Sequence, residues 1–373
     1  SLNDPYAVCC LVFAFAMIFA GRIQDKLSPR ITAVIGGVLT GLGLILISFS
    51  TAWISWIIGF GILTGMGLGF GYASATPPAI KWFPPAKTGM IAGIVVAGFG
   101  LASVYIAPLA TFLIERFGLS QAMLIFGIAF LVIVSGLAQL LVNPPAGYVH
   151  PDTVHTKASV AAAAVNFEPG RMLRTAAFYK LWIIFCIASG AGLMIIGSVA
   201  GMAKQGMGGM AWVVVALMAV GNASGRVVAG ILSDRIGRAN TLFMMLVFQA
   251  LVIFSLLFIT PAQVMFLVLA AILIGFNYGT NLSLFPSATK DFFGLKNFGV
   301  NYGLVFSAWG VGGFIFPRVS QMIVAYTSSP RMAYILAAGL LLACAVLALT
   351  TKAPVAETEA QTGFTTTAVA QKI

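Results

Sequence analysis

GRIQDKLSPR (residues 21–30) and GILSDRIGRA (residues 230–239) are the two stretches on which the fold turns. They start 209 residues apart, so Gly21 falls on Gly230, Asp25 on Asp234 and Lys26 on Arg235. The same offset carries Lys81, Phe83 and Lys87 onto Lys290, Phe292 and Lys296, Pro77 onto Pro286, and Pro108 onto Pro317. One constant offset held this far along a chain is the mark of an internal repeat. Two similar halves are therefore expected, residues 1–142 and 178–352. A polar linker at 143–177 would join them, and a disordered tail at 353–373 would follow.

Composition says what fills each half. Of 373 residues, 60% are apolar and only 8% charged, and the mean hydropathy is +1.03. Soluble domains average roughly 45–50% apolar and about 25% charged residues. The surplus must face lipid, which excludes a cytosolic enzyme, a nucleic-acid binder and a disordered scaffold. A helix crosses a bilayer with about 20 apolar residues. Eleven such segments can be laid out along this sequence, among them 88–114 and 121–142. Barrel strands would alternate over about ten residues, so the expectation is an all-α polytopic membrane protein.

With helix ends alternating sides, one set of loops carries fifteen Lys and Arg and the other four, leaving Arg226 inside a span. That bias assigns the basic loops, the linker and the tail to the cytoplasm. The net charge of +11 then reports topology rather than an acidic partner. The expected location is a bacterial inner membrane, with lipid around the chain, no nucleic-acid partner and a monomeric state.

The repeated loop has the form Gly-x-x-x-Asp-Arg/Lys-x-Gly-Arg between two helices of a half. It resembles the signature of the major facilitator superfamily. The copy at 230–238 keeps the pattern, whereas the first has Ser28-Pro29 where Gly-Arg is usual. The resemblance implies two pseudo-symmetric six-helix bundles around a site that alternately faces each side of the membrane. The second half shows six spans and the first five, so the first helix of the full fold is expected to be missing from this chain. NASGRVVAGILSDRIGR (222–238) and NYGTNLSLFPSATKDFFGLKNFGVNYG (277–303) further resemble the branch of oxalate/formate antiporters and bacterial monocarboxylate transporters. This implies secondary active transport of a small monocarboxylate such as lactate, pyruvate, acetate or formate, together with a proton. An organic-anion exchanger and a non-transporting receptor for organic acids are the alternatives; a drug exporter is weaker, for such pockets usually carry an acid.

Arg226 is the residue from which a site can be built. An arginine at a helix centre costs about 2.5–3.5 kcal/mol on insertion scales, so it faces a water-filled cavity or a partner. Snorkelling would have to span the seven residues to Ser233, about 10 Å of helix. A salt bridge would need an acid, and no other span holds one at depth. An anion site remains, since a guanidinium pairs bidentately with a carboxylate. One cation suits one negative charge. The resemblance places the antiporters' lysine at Trp309, which argues against oxalate and makes Trp309 an apolar wall.

Asn222 lies one turn before Arg226 on the same face. Animal monocarboxylate transporters have an aspartate at that spacing for proton coupling, so the asparagine puts such a relay in question. It either orients the guanidinium or touches substrate. Asn277 and Asn281 share a helix face, with Tyr278 about 100° away. The repeat sets Asn281 against Tyr72 at a symmetric depth. These four are expected to contact or gate the substrate, the competing role being helix–helix hydrogen bonding. Tyr302 and Tyr105 are further candidates. By resemblance Asp25, Arg30, Asp234 and Arg238 are gating residues that hold the bundles together, with helix capping as the alternative.

Other motifs carry no chemistry. Gly65 to Gly71 has alternating glycines but no lysine and no preceding strand, so it is a packing surface and not a phosphate loop. Cys9, Cys10, Cys186 and Cys344 have no zinc-like spacing, and His150 and His155 are expected to be solvated. No catalytic residue, metal or cofactor is expected.

Overall fold

The computed structural model describes residues 4–145, 148, 150, 151 and 166–354. His155 and all but two residues of the expected tail lie outside them. The described residues are helical, without a strand. Among the described residues, ten stretches are long and apolar enough to cross a membrane. The longest, Pro85–Leu140, has 56 residues, about 84 Å as one helix against a hydrocarbon core of about 30 Å. It is divided at Gly118, whose φ of 80° and ψ of 165° break the helix. Only glycine adopts such an angle freely, and the two legs make the count of crossings eleven, as the sequence implies.

The long helices are α1 (Asp4–Lys26), α2 (Pro29–Ser48), α3 (Trp53–Trp82), α4 (88–117) and α5 (119–140) in the first half. The second half has α6 (Ala176–Met207), α7 (Ala211–Ile236), α8 (Arg238–Ser255), α9 (Val264–Phe293), α10 (Phe298–Thr327) and α11 (Arg331–Leu349). Two helix pairs form the seam between halves: α1 packs along α10, and α4 along α7. Glycines set their closeness. A methyl group on Gly21 would collide with the Gly299 carbonyl, and one on Gly89 with the Gly230 carbonyl. The backbones therefore touch at the end of the bundle bearing the basic loops, called the basic end below.

The end of the linker is anchored at the same place. Phe167 N–H donates to the Phe293 carbonyl at 2.9 Å, and the Phe167 carbonyl accepts from Asn297 Nδ2 at 3.1 Å and Asn301 Nδ2 at 3.0 Å. Its ring lies edge-on to Phe293 at 5.7 Å, and Arg171 stacks on it at 5.2 Å. These bonds satisfy the turn that closes α9 and opens α10. All four cysteines are buried free thiols, and among the described residues no His, Cys, Asp and Glu cluster could hold a metal ion.

Candidate substrate site and the clamps beneath it

Arg226 lies on α7, 3% exposed, facing α4 across the seam. Small residues make this approach possible, since Gly93 rests against the Arg226 backbone carbonyl and Gly100 against Ala223. The guanidinium is held on two sides. Its Nε donates to Asn222 Oδ1 at 2.9 Å, and Nη1 donates to the Val96 carbonyl. A helical carbonyl keeps a second lone pair for such a bond. Nη2 makes no hydrogen bond to the described residues and stays available to an acceptor. Asn222 thus has its oxygen committed to Arg226, and it is itself backed by Gly279 of α9.

Aromatic side chains from both halves surround this charge. Tyr72 of α3, Tyr278 of α9 and Tyr302 of α10 all feel the Arg226 field. The Tyr72 and Tyr302 hydroxyls stand near each other without reaching hydrogen-bond geometry, and both are buried. Tyr278 accepts from Trp309 Nε1 at 2.8 Å, which leaves the phenol hydrogen free to donate. Phe13 ties the wall together, with ring centroids 5.7 Å from Tyr72, 5.2 Å from Trp309 and 5.3 Å from Phe306. Trp309 and Phe306 stack at 5.2 Å. The arrangement can receive one carboxylate on a charged nitrogen, with phenol donors on one side and an apolar wall on the other.

The structure brings together Arg226, Asn222, Tyr72, Tyr278 and Trp309. Asn277 and Asn281 are buried on α9 but bond to none of these. Asn277 Nδ2 donates to the Leu273 carbonyl of its own helix at 3.2 Å, and Asn281 Nδ2 has no partner among the described residues. Tyr105 is 61% exposed and stands apart. Sequence reasoning expected phenylalanines beside Trp309 without singling out Phe306, and it missed Phe13 and the Val96 carbonyl. The repeat offers a signal for the first, since Phe13 is the 209-residue counterpart of Asn222. A backbone carbonyl leaves none.

Two clamps close the basic end, each joining the halves. Asp25 at the end of α1 accepts from the Gly299 and Val300 N–H groups, both at 3.0 Å. Asp234 at the end of α7 accepts from Gly89 at 2.8 Å and Met90 at 2.9 Å. Each carboxylate therefore caps the first turn of a helix in the other half, where unpaired N–H groups and the helix dipole favour an anion. Arg238 supports the second clamp, with Nη1 2.8 Å from Asp234 Oδ1 and Nε 2.7 Å from Asp291 Oδ2. Arg30 plays no such part: it is exposed, and no ion pair among the described residues includes it. The register explains this. Gly237, at φ 88°, turns Arg238 back onto Asp234, whereas Ser28 is extended and caps α2 through Ile31 N–H at 3.2 Å. The repeat then puts Pro29, not Arg30, at the arginine position.

A family model described as Major Facilitator Superfamily matches residues 5–317 and 210–371. The chain is 30% identical over 312 residues to an uncharacterized MFS-type transporter, YhjX, of Escherichia coli K12, covering 82% of this chain and 75% of that protein. It is 28% identical over 293 residues to the oxalate:formate antiporter of Oxalobacter formigenes, covering 77% and 67%. The crystal structure of the MFS transporter FucP in its outward conformation superposes with a TM-score of 0.67 at 17% identity, over 94% of this chain and 90% of that one. The last likeness speaks for the fold alone.

Proposed function

Since the chain belongs to the Major Facilitator Superfamily, we propose that it is a secondary active transporter carrying a small monocarboxylate, with Arg226 as the carboxylate's ligand. The observation that carries this reading is the state of that guanidinium. It is buried in a membrane span and, among the described residues, it has no acidic partner and Nη2 is uncommitted at the seam between halves. An uncompensated cation there is expensive unless an anion joins it. A single charge matches a monoanion. Trp309 and Phe306 supply an apolar wall where a dianion would need a second cation.

Tyr72 and Tyr278 contact the substrate through their hydroxyls, Trp309 closes the apolar side, and Asn222 fixes the guanidinium. Asn281 and Asn277 serve the packing or gating of α9. The clamps at Asp25 and Asp234, the second backed by Arg238, hold the basic end shut while the site is reached from the opposite side. The basic end faces the cytoplasm of a bacterial cell membrane, and a proton accompanies the substrate. One observation favours exchange of one organic acid for another instead: the residue bonded to Arg226 Nε is Asn222, an amide that carries no titratable proton.

The test is uptake of radiolabelled lactate, pyruvate, acetate, formate and oxalate into proteoliposomes, with and without an inward proton gradient. Gradient-driven monocarboxylate uptake should fall at least roughly 100-fold in Arg226→Ala, the loss of a charged hydrogen-bond pair in a buried site. Gradient-insensitive flux stimulated by internal substrate would identify the exchanger. Oxalate transport, or flux indifferent to Arg226, would overturn the monocarboxylate assignment.

A further inference from the structure

We propose that the rim of the second half, at the end opposite the basic loops, holds an anionic phospholipid. Arg331, Tyr334 and the first turn of α11 would take its phosphate, and a slot beneath them one acyl chain. A cavity of about 420 Å³ opens there between α6, the α8–α9 loop and the start of α11. Ser198, Gln205, Thr260, Ser329, Arg331 and Tyr334 are its polar lining, and no carboxylate is among its walls.

Two donors at this mouth find no acceptor among the described residues, the Tyr334 hydroxyl and the Arg331 guanidinium. Tyr334 is 2% exposed, yet its hydroxyl has no hydrogen-bond partner among the described residues, although Ser198 stands beside it. A buried phenol in that state calls for a ligand. Arg331 belongs to no ion pair among the described residues and opens α11, a 19-residue helix. Its own N–H is bonded to Ser329 Oγ at 3.3 Å. The Met332 and Ala333 N–H groups that follow point out of the first turn toward any anion placed there.

An apolar slot of about 160 Å³ is lined by turns of α6, α10 and α11 that lie farther from the rim. Met194, Phe316, Val319, Ile323, Leu336 and Leu340 line it, and every other wall residue is apolar too. The slot and the polar mouth share one face of α6. Met194 belongs to the slot, while Ser198, Gly201 and Gln205 belong to the mouth, at helical spacings of four, seven and eleven residues. From Gln205 to Met194 is about 16 Å of helix, close to half the hydrocarbon thickness. A free phosphate has no use for this slot. A zwitterionic headgroup would bring an ammonium that finds no acid. The fitting ligand is a glycerophospholipid with net negative charge.

Native mass spectrometry of the full chain, titrated with phosphatidylglycerol, phosphatidylcholine and inorganic phosphate, tests this. One phosphatidylglycerol should bind in preference to phosphatidylcholine and resist displacement by inorganic phosphate. Its affinity should drop roughly tenfold in Arg331→Ala combined with Tyr334→Phe, as expected for charged hydrogen bonds at a membrane surface. Leu336→Trp, which fills the slot and leaves the mouth intact, should give a similar loss, with thermal melting confirming the fold of each variant. Undiminished phosphatidylglycerol binding in either variant would overturn the site. Equal retention of phosphatidylcholine would overturn its anionic character, and displacement by millimolar inorganic phosphate would make it a free-anion site.

Discussion

Neutralising Asp234 should part the two halves at the basic end. Its carboxylate accepts from Gly89 N–H at 2.8 Å and Met90 N–H at 2.9 Å, with 10% of the side chain exposed. Hydrogen bonds to a charged group contribute about 1.5–3 kcal/mol each and neutral ones about 0.5–1.5. Asparagine offers one oxygen in place of two, so one bond is lost and the other becomes neutral. Little solvent screens the pair, and the sum is about 3 kcal/mol, a shift on the order of 100-fold between closed and open populations. The four native cysteines are buried, so spin labels can be placed selectively at cysteines introduced for the exposed Ala86 and Asn240. Double electron–electron resonance on the wild type should give one short distance, and D234N a second, longer population. Asp25→Asn should have the smaller effect, because its bonds are 3.0 Å long and no arginine pairs with it. An unchanged distance distribution in D234N, in protein that still folds, would refute the argument.

Phe167→Ala removes a side chain that is 3% exposed and packed on Phe293; the variant should lose about 3 kcal/mol of stability, read as a lowered melting temperature. Trp309→Phe keeps the ring but removes the donor at 2.8 Å from Tyr278 Oη. A bond of about 1 kcal/mol implies a several-fold rise in KM with expression unaltered, measured as substrate-dependent uptake.

The spans were legible because lipid imposes a length and a composition that survive in any window of the sequence. The break between α4 and α5 was visible as a dip near residues 115–120, but its cause is one backbone angle at Gly118. Arg226 stood out as a basic residue inside a span, eight residues before the aspartate of the repeated loop. The wall around it did not: with 29 phenylalanines in the chain, nothing distinguishes Phe13 and Phe306 until helices from opposite halves are set side by side. The aspartates of the clamps could be read from the repeat, whereas their acceptor sites are backbone N–H groups of Gly89, Met90, Gly299 and Val300, which have no side-chain signature. Arg30 shows the limit of a motif taken by type. It has the expected charge, one residue out of register, and that residue decides whether it meets the clamp.

Site and clamp also share their helices. On the α4–α7 pair, Asp234 holds the first turn of α4 while Arg226, eight residues earlier on α7 and so about 12 Å away, donates to the Val96 carbonyl of the same helix. A carboxylate that pairs with Nη2 and Nη1 together competes with Val96 for Nη1, and any bond it draws from Val96 is one the seam loses. Substrate should therefore lengthen the Ala86–Asn240 distance in the wild type. Linkage requires the converse: D234N, already loosened, should bind substrate more tightly. The gain is bounded by one charged hydrogen bond, about 1.5–3 kcal/mol or roughly 10- to 100-fold. Equilibrium binding of the transported acid to both proteins in detergent, with the distance measured at saturation, decides the matter. Equal affinities and a substrate-insensitive distance would mean that Arg226 binds its ligand without disturbing the seam, and that opening is driven through the α1–α10 pair alone.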